Sequence, residues 1–375
     1  MIYLDNAATG GFKPTSVKNA VCASLKLCAN PGRSGHRLSI ALSERVLDCR
    51  NLLSELFDGY GFDRVAFTKN CTEALNLALF GTLNAGDHVV TTALEHNSVL
   101  RPLEQLARAG VITYSVAPLK DGRLDYDALA SLVRENTRIA AVTTASNVTG
   151  EVVDLKKIRS LLPDRVLLFA DGAQGAGHVR IAMRETGIDA LAIAGHKGMH
   201  AMQGAGALLF SERVNPRPLL YGGTGSESLN LGMPEFYPDR LESGTLSYPC
   251  IVSLFEGALF VKAHRKEHAE RLSAITESFL QWLDTLKTYK AFSRPNACGI
   301  VSFAHRSLPS EEVATALSER FDIAVRGGLH CAPLAHRALG TAPQGLVRAS
   351  FSPFQSLQEA RALIQALRAI RPSEA

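Results

Sequence analysis

Two residues, Asp171 and Lys197, carry the most specific chemical signal in the chain. Asp171 follows the apolar run Arg165–Ala170 and opens Asp171-Gly172-Ala173-Gln174. Lys197 follows Ala190–Ile193, within Ala194-Gly195-His196-Lys197-Gly198. Taken singly, an Asp after a strand is a turn or capping residue, and a Lys is a solvated surface residue. The 26 positions between them (197 − 171) fit one strand–helix–strand excursion between neighbouring strand ends. A Lys that can form a Schiff base and an Asp that can hold a pyridinium nitrogen protonated are the pair that pyridoxal phosphate requires.

Three further strand ends carry polar groups. Lys69-Asn70-Cys71-Thr72-Glu73 follows Arg64–Thr68 and opens a helix, where free backbone N–H groups and a hydroxyl make either a phosphate site or a plain cap. Glu95-His96-Asn97-Ser98 follows His88–Thr92, so His96 is either stacked on a planar group or packed as a cap. Ser146-Asn147-Val148-Thr149-Gly150 follows Arg138–Thr143, and Asn147 can donate to a substrate carboxylate or to a ring. Asn147 also heads an N-x-T sequon, expected to stay unglycosylated in a chain with no secretory leader. Two other patterns are decoys. His264-Arg-Lys-Glu-His268 spells H-x-x-E-H but lies in a charged helical stretch, and Gly172–Gly177 has the wrong glycine order for a dinucleotide loop.

The elements that must position these residues follow from periodicity. Strands are predicted at Arg64–Thr68, His88–Thr92, Val111–Tyr114, Arg138–Thr143, Arg165–Ala170 and Ala190–Ile193. Amphipathic helices are predicted at Cys71–Leu83, Ser98–Ala109 and Asp125–Glu135. Such alternation implies an α/β fold with a mostly parallel sheet, whose ligands sit beyond the carboxyl ends of the strands. Residues 211–249 read as loops, and Pro249 opens a helical stretch to about Lys287. A second, smaller alternation runs through Gly299–Ala304, Ser310–Arg320, Val347–Phe351 and Leu357–Ala369, with a domain boundary near 245. The 375 residues carry 40 basic and 36 acidic side chains, a net +4 that is too balanced for an obligate nucleic-acid binder. No apolar run reaches the roughly 18 residues of a membrane span, and the first residues do not form a secretory signal. Seven irregularly spaced cysteines without a C-x-x-C pair predict free thiols, no metal site and a cytoplasmic protein.

At this point the chain resembles the class V branch of the fold-type I pyridoxal-phosphate enzymes, and within it the cysteine desulfurases and selenocysteine lyases. The carrying motifs are Tyr3-Leu-Asp-Asn-Ala-Ala-Thr9, Asn70-Cys-Thr-Glu-Ala-Leu-Asn76, Glu95-His-Asn-Ser98, Ser146-Asn147, Ala170-Asp-Gly-Ala-Gln174, Gly195-His-Lys197, Glu242-Ser-Gly-Thr245, Arg326-Gly-Gly-Leu-His-Cys-Ala332 and Val347-Arg-Ala-Ser350. The resemblance implies an N-terminal segment (1–11) packing on the small domain. It also implies a large cofactor domain (12–245) and a small C-terminal domain (246–375) bearing Cys331 and Arg348. It makes Lys197 the Schiff-base lysine, Asp171 the partner of the pyridinium nitrogen, Gln174 the donor to the ring oxygen and His96 the stacked residue, with His96 among the catalytic groups. Cys71, Thr72 and His196 become phosphate ligands, and Thr245 reaches the phosphate from the second subunit of a homodimer. Arg348 clamps the substrate carboxylate, and Ala8 and Asn147 line the substrate side. Two departures stand out. Ala194 replaces a Ser that donates to the phosphate in many relatives, and Leu329 stands where a second His is common, leaving His330 as the only imidazole beside the thiol.

Lys197 and Asp171 are shared by aminotransferases, lyases and hydrolases of this class, so Cys331 decides the reaction. It sits in a glycine-rich loop flanked by Arg326 and His330, which can lower its pKa or move its proton. The expected activity is desulfuration of L-cysteine to L-alanine, with a persulfide on Cys331 that is passed to a thiol or a sulfur-acceptor protein. The alternatives are selenocysteine lyase, a C–S β-lyase or aminotransferase in which Cys331 is incidental, and a non-enzymatic sulfur carrier. Neither nucleic acid nor membrane is an expected partner.

Overall fold

The computed structural model describes residues 1–371; the last four positions of the expected small domain lie outside the described residues. Apolar β-rich runs build a seven-stranded sheet in the order Val65–Thr68, Gly206–Phe210, Ala190–Ala194, Leu167–Asp171, Thr137–Thr143, His88–Thr92, Thr113–Ala117. Gly206–Phe210 runs antiparallel to both neighbours and the other pairs are parallel. The sheet is buried on both faces, which is why its strands read as continuous hydrophobic runs. Val90, Val142, Leu168, Ala170, Leu191 and Ile193 face one core, and Val89, Ile139, Ala141, Phe169, Ala192 and Phe210 face the other. Helix Arg37–Leu56 and the start of Tyr248–Asp284 cover the first face; Cys71–Thr82 and Asn97–Arg108 cover the second.

The 37-residue helix Tyr248–Asp284, about 55 Å long at 1.5 Å per residue, leaves this core and enters a second one. There Leu272, Ile275, Phe279 and Leu283 pack on the antiparallel sheet Tyr289–Ala291, Ile300–His305, Val347–Ser350, together with helices Ser310–Phe321 and Leu357–Ala369. The N-terminal strand Ile2–Tyr3 pairs in parallel with Ile323–Ala324. Residues 4–13 then run to the large sheet: Leu4 packs in the second core, and Gly10 N and Lys13 Nζ donate to the His196 carbonyl.

Three expectations shift. The helix expected over Asp125–Glu135 is confined to Tyr126–Ser131, because Thr137 Oγ1 accepts the Arg134 N–H and closes a turn. The strand expected at Val111–Tyr114 lies at Thr113–Ala117, in register with His88–Thr92. The antiparallel strand Gly206–Phe210 was not expected at all. Gly206 begins it against the Asn70 backbone, where an added Cβ would approach the Asn70 carbonyl carbon to 2.8 Å. Among the described residues, no helix is long and apolar enough to cross a membrane.

Candidate active site

The parallel strands end on one edge, and the polar residues predicted there converge. Asp171 pairs in register with Ala192 on the strand that leads into Lys197. Its Oδ1 accepts the Ala173 N–H at 2.8 Å and the Cys71 thiol at 3.4 Å. Burial pushes the Cys71 thiol well above its ordinary pKa, so it remains a donor. Among the described residues, Asp171 Oδ2 has no hydrogen-bond partner and neither does Lys197 Nζ. Burial lowers the Lys197 pKa, against the opposing pull of the Asp171 carboxylate. The site therefore offers an amine that burial inclines toward its neutral form, together with an unengaged carboxylate oxygen.

His96 caps helix Asn97–Arg108. Its Nδ1 accepts the Ser98 N–H at 3.0 Å and lies 2.9 Å from Ser98 Oγ, which is 2.7 Å from Thr72 Oγ1. Burial pushes His96 down to about 4, so the ring is neutral and carries its proton on Nε2. His196 Nδ1 lies 3.1 Å from Thr9 Oγ1, and its carbonyl accepts from Gly10 N and Lys13 Nζ. Burial lowers His196 to about 4 as well. Gln174 Nε2 donates to the Ala7 carbonyl at 3.0 Å, which leaves its second N–H for a ligand, and Ala8 continues the same segment.

Arg348 is the largest fully buried side chain, 1% exposed. Its Nη1 donates to the Asn147 carbonyl at 3.0 Å and its Nη2 to Asp5 Oδ1 at 2.9 Å, while Nε has no partner. Asn147 Nδ2 donates to the His330 carbonyl at 2.7 Å, and its buried Oδ1 is also unpartnered. Unsatisfied buried groups of this kind are costly unless a ligand meets them. A carboxylate on Arg348 Nε and an ammonium or N–H on Asn147 Oδ1 would satisfy both. The residues present thus fit a pyridoxal phosphate with an amino-acid substrate: an amine, a carboxylate for the ring nitrogen, a neutral imidazole, hydroxyl and helix N–H donors at Cys71–Thr72, and a guanidinium.

Cys331 is exposed, and its Sγ is 3.8 Å from Arg326 Nη2. It borders a groove shared with Thr72, His96 and Ser98, and its carbonyl accepts the Asn97 N–H at 2.7 Å. His330 does not serve the thiol in the way its neighbouring position suggests, because its ring nitrogens contact the Arg326 carbonyl and His336. Thr245 is not joined to this site within one chain. It is exposed, accepts from Asn30 Nδ2 at 3.4 Å and borders a separate cleft with Lys69, Glu73 and Cys250. His264 and His268 sit 5.6 Å apart against Phe260, and no group of three or more metal-ligating side chains exists among the described residues.

Sequence reasoning missed Asp5 as the counter-ion of Arg348, Glu95 and His336. Glu95 is 0% exposed; its Oε1 accepts from Thr92 Oγ1 at 2.6 Å and Thr143 N at 3.0 Å, tying two strand ends together. Burial pushes its carboxyl up to about 8. The one signal for Glu95 was a charged residue inside an otherwise apolar strand exit. His336 had none, since a His on a short helix is ordinarily a surface residue.

The class V aminotransferase profile matches residues 2–363. A probable cysteine desulfurase of Aeropyrum pernix is 34% identical over 99% of this chain and 94% of its own length. One of Pyrococcus abyssi is 30% identical over 98% and 93%. Among solved structures, the apo cysteine desulfurase of Thermococcus onnurineus superposes with a TM-score of 0.88 at 29% identity, covering 98% of this chain and 93% of that one. The cysteine desulfurase CsdA of Escherichia coli superposes with a TM-score of 0.87 at 25% identity, with the same coverage. Buried Lys197 and Asp171 on adjacent strand ends, the shared α/β architecture and this near full-length similarity lead to one conclusion: the chain belongs to the class V aminotransferase family of pyridoxal-phosphate enzymes, in the group of the cysteine desulfurases.

Proposed function

We propose that the protein takes sulfur from L-cysteine, releases L-alanine and holds the sulfur as a persulfide on Cys331. The observation that carries this reading is a thiol presented at the mouth of the cleft, with the Arg326 guanidinium 3.8 Å from its sulfur and the loop tied to the helix that His96 caps. Lys197, Asp171, Gln174, His96, Cys71, Thr72 and His196 would hold the cofactor. When bound, pyridoxal phosphate supplies an electron sink for the substrate's α-carbon.

The chain's own residues do the rest. Arg348, fixed by Asp5 and the Asn147 carbonyl, presents Nε–H to the substrate carboxylate. Lys197, its amine favoured by burial, takes the α-proton and returns it. A neutral His96 would lie against the cofactor without adding a charge beside Lys197. The Cys331 thiolate attacks the substrate sulfur. An S–S bond forms as the C–S bond breaks, and the carbon skeleton takes up a proton and leaves as alanine. The step is redox-neutral: two thiols become one persulfide and one methyl group. Thiol exchange with a small thiol or an acceptor protein regenerates Cys331.

The remaining parts of the reading are a cytoplasmic homodimer, Thr245 of one subunit supplying a phosphate ligand to the other, and three units at 1–11, 12–245 and 246 onward. Free cysteines throughout agree with a reducing compartment, and the strand pairing of Ile2–Tyr3 with Ile323–Ala324 supports the first unit's place on the last. The test is the carbon product from L-cysteine and a reductant, in the parent and in Cys331→Ser. Alanine that disappears with the substitution supports the proposal. Pyruvate and ammonia, or alanine unaffected by Cys331→Ser, refute it.

A further inference from the structure

The loop bearing Cys331 holds two consecutive side-chain-bearing residues in the left-handed region, His330 at φ 51° and Cys331 at φ 57°. Such a conformation is unfavourable for a residue with a side chain and persists only where surrounding contacts impose it. Two contacts hold the loop's backbone: Asn147 Nδ2 donates to the His330 carbonyl and Asn97 N to the Cys331 carbonyl. Beneath the loop lies a third, buried set. His330 Nε2 is 3.2 Å from the Arg326 carbonyl, His330 Nδ1 is 3.5 Å from His336 Nε2, and His336 Nδ1 is 2.8 Å from Thr341 Oγ1. The two imidazole planes lie within 22° of each other. His330 is 2% exposed, His336 0% and Thr341 6%, and no carboxylate contacts any of them among the described residues.

The proton positions follow from the end of this chain. A carbonyl only accepts, so His330 Nε2 carries hydrogen and donates to Arg326. With no anion near, the buried ring is neutral, and Nδ1 is an acceptor. His336 Nε2–H must then donate to it, and His336 Nδ1 accepts from the Thr341 hydroxyl, whose other acceptor, the His336 carbonyl, is more distant at 3.4 Å. Every link runs the same way, from Thr341 through His336 and His330 to the backbone of Arg326. That last residue is the one whose guanidinium reaches the Cys331 sulfur. Both ring nitrogens of His330 are committed, so it has no lone pair left to take the thiol's proton. Burial, which lowers His330 to about 3 and also lowers His336, agrees with two neutral rings. The glycines close the same unit: an added Cβ on Gly345, itself at φ +67°, would meet the Gly328 carbonyl at 2.7 Å.

We propose that Thr341, His336 and His330 form a one-way hydrogen-bonded relay that positions Arg326 and the left-handed Cys331 turn for sulfur transfer. The inference rests on Cys331 being the persulfide-forming thiol. All three are positioning residues, because none touches substrate, cofactor or the reacting sulfur.

The test uses holoenzyme of Thr341→Val, which keeps shape and removes the donor, and Thr341→Ser, which restores it. Two quantities are read: single-turnover persulfide formation on Cys331, and peptide-resolved alkylation of Cys331 by iodoacetamide, with exposed Cys22 as internal control. Thr341→Val is expected to slow both by about tenfold, less than the roughly hundredfold that a full ångström of misplacement costs a catalysed step. KM for L-cysteine, visible cofactor absorption and Cys22 alkylation should stay at parental values. Thr341→Ser should fall within about twofold of the parent. Parental rates in Thr341→Val, equal losses in both variants, or losses that track cofactor absorption would overturn the relay. A parent that forms no persulfide on Cys331 would refute the proposed function instead. Alkylation would then still decide the relay, with a Val-specific slowing supporting it and equal rates overturning it.

Discussion

Glu95→Gln is expected to leave stability nearly unchanged in acid and to raise it at alkaline pH. The Glu95 carboxyl is fully buried, and its Oε2 has no partner. Burial raises its pKa from 4.5 to about 8, with the nearby Asp171 carboxylate adding to the rise and the hydrogen bonds from Thr92 and Thr143 opposing it. The folded protein thus keeps a proton that the unfolded chain releases. Stability from this group is complete below about pH 4.5, is lost as pH rises toward about 8, and levels off above that. At 1.36 kcal/mol per pH unit the whole interval amounts to several kcal/mol, most of which falls between about pH 5 and pH 8. Gln keeps an oxygen to accept from Thr92 Oγ1 and Thr143 N and replaces the neutral acid with a neutral amide. The assay is thermal unfolding of parent and variant, at equal cofactor loading, at about pH 5 and pH 8. The gap should open in favour of the variant as pH rises. A gap independent of pH would mean that Glu95 is ionised in the folded protein, and the argument would fail.

Asp5→Asn should raise KM for L-cysteine several-fold and cost about 2 kcal/mol in denaturant unfolding, less than the roughly 3–5 kcal/mol of a fully buried pair. The discount follows from the Asp5 side chain being 22% exposed while Arg348 is enclosed; an unchanged KM would show that Asp5 does not anchor the guanidinium. Arg50 and Glu242 form a bidentate pair, at 2.8 and 2.6 Å, in which both partners are buried, and Glu242 also accepts from Phe67 N. Glu242→Leu alone should cost roughly 3–5 kcal/mol, and the double variant with Arg50→Leu should recover most of that, since the single change leaves an uncompensated buried charge. A double variant no more stable than the single one would contradict this.

The strand ends were legible because parallel sheets buried on both faces write themselves as apolar runs, and the residue after each run stands out. Asp171, Lys197, His96, Thr72 and Asn147 each lie at or just beyond such a run. Gly206–Phe210 escaped notice because an antiparallel insertion has the same composition as its neighbours, and its direction depends on which strands it joins. The helix at Asp125 was overextended because its periodicity continues past Ser131, while the turn that stops it depends on Thr137 from the next strand.

The sequence by itself therefore determined the layered α/β class, the Lys–Asp pair and the place of Cys331 in a glycine-rich loop, since each depends on neighbours near in the chain. Only the tertiary structure decided what those groups touch. Asp5 meets Arg348 across 343 positions, Cys71 meets Asp171 across 100, and Asn147 meets the His330 carbonyl across 183. His330 stands next to Cys331 in sequence, yet its ring joins the buried His336 and not the thiol. The physical reason is the left-handed turn at residues 330 and 331, which sends consecutive side chains in different directions and which no local pattern of residue types specifies.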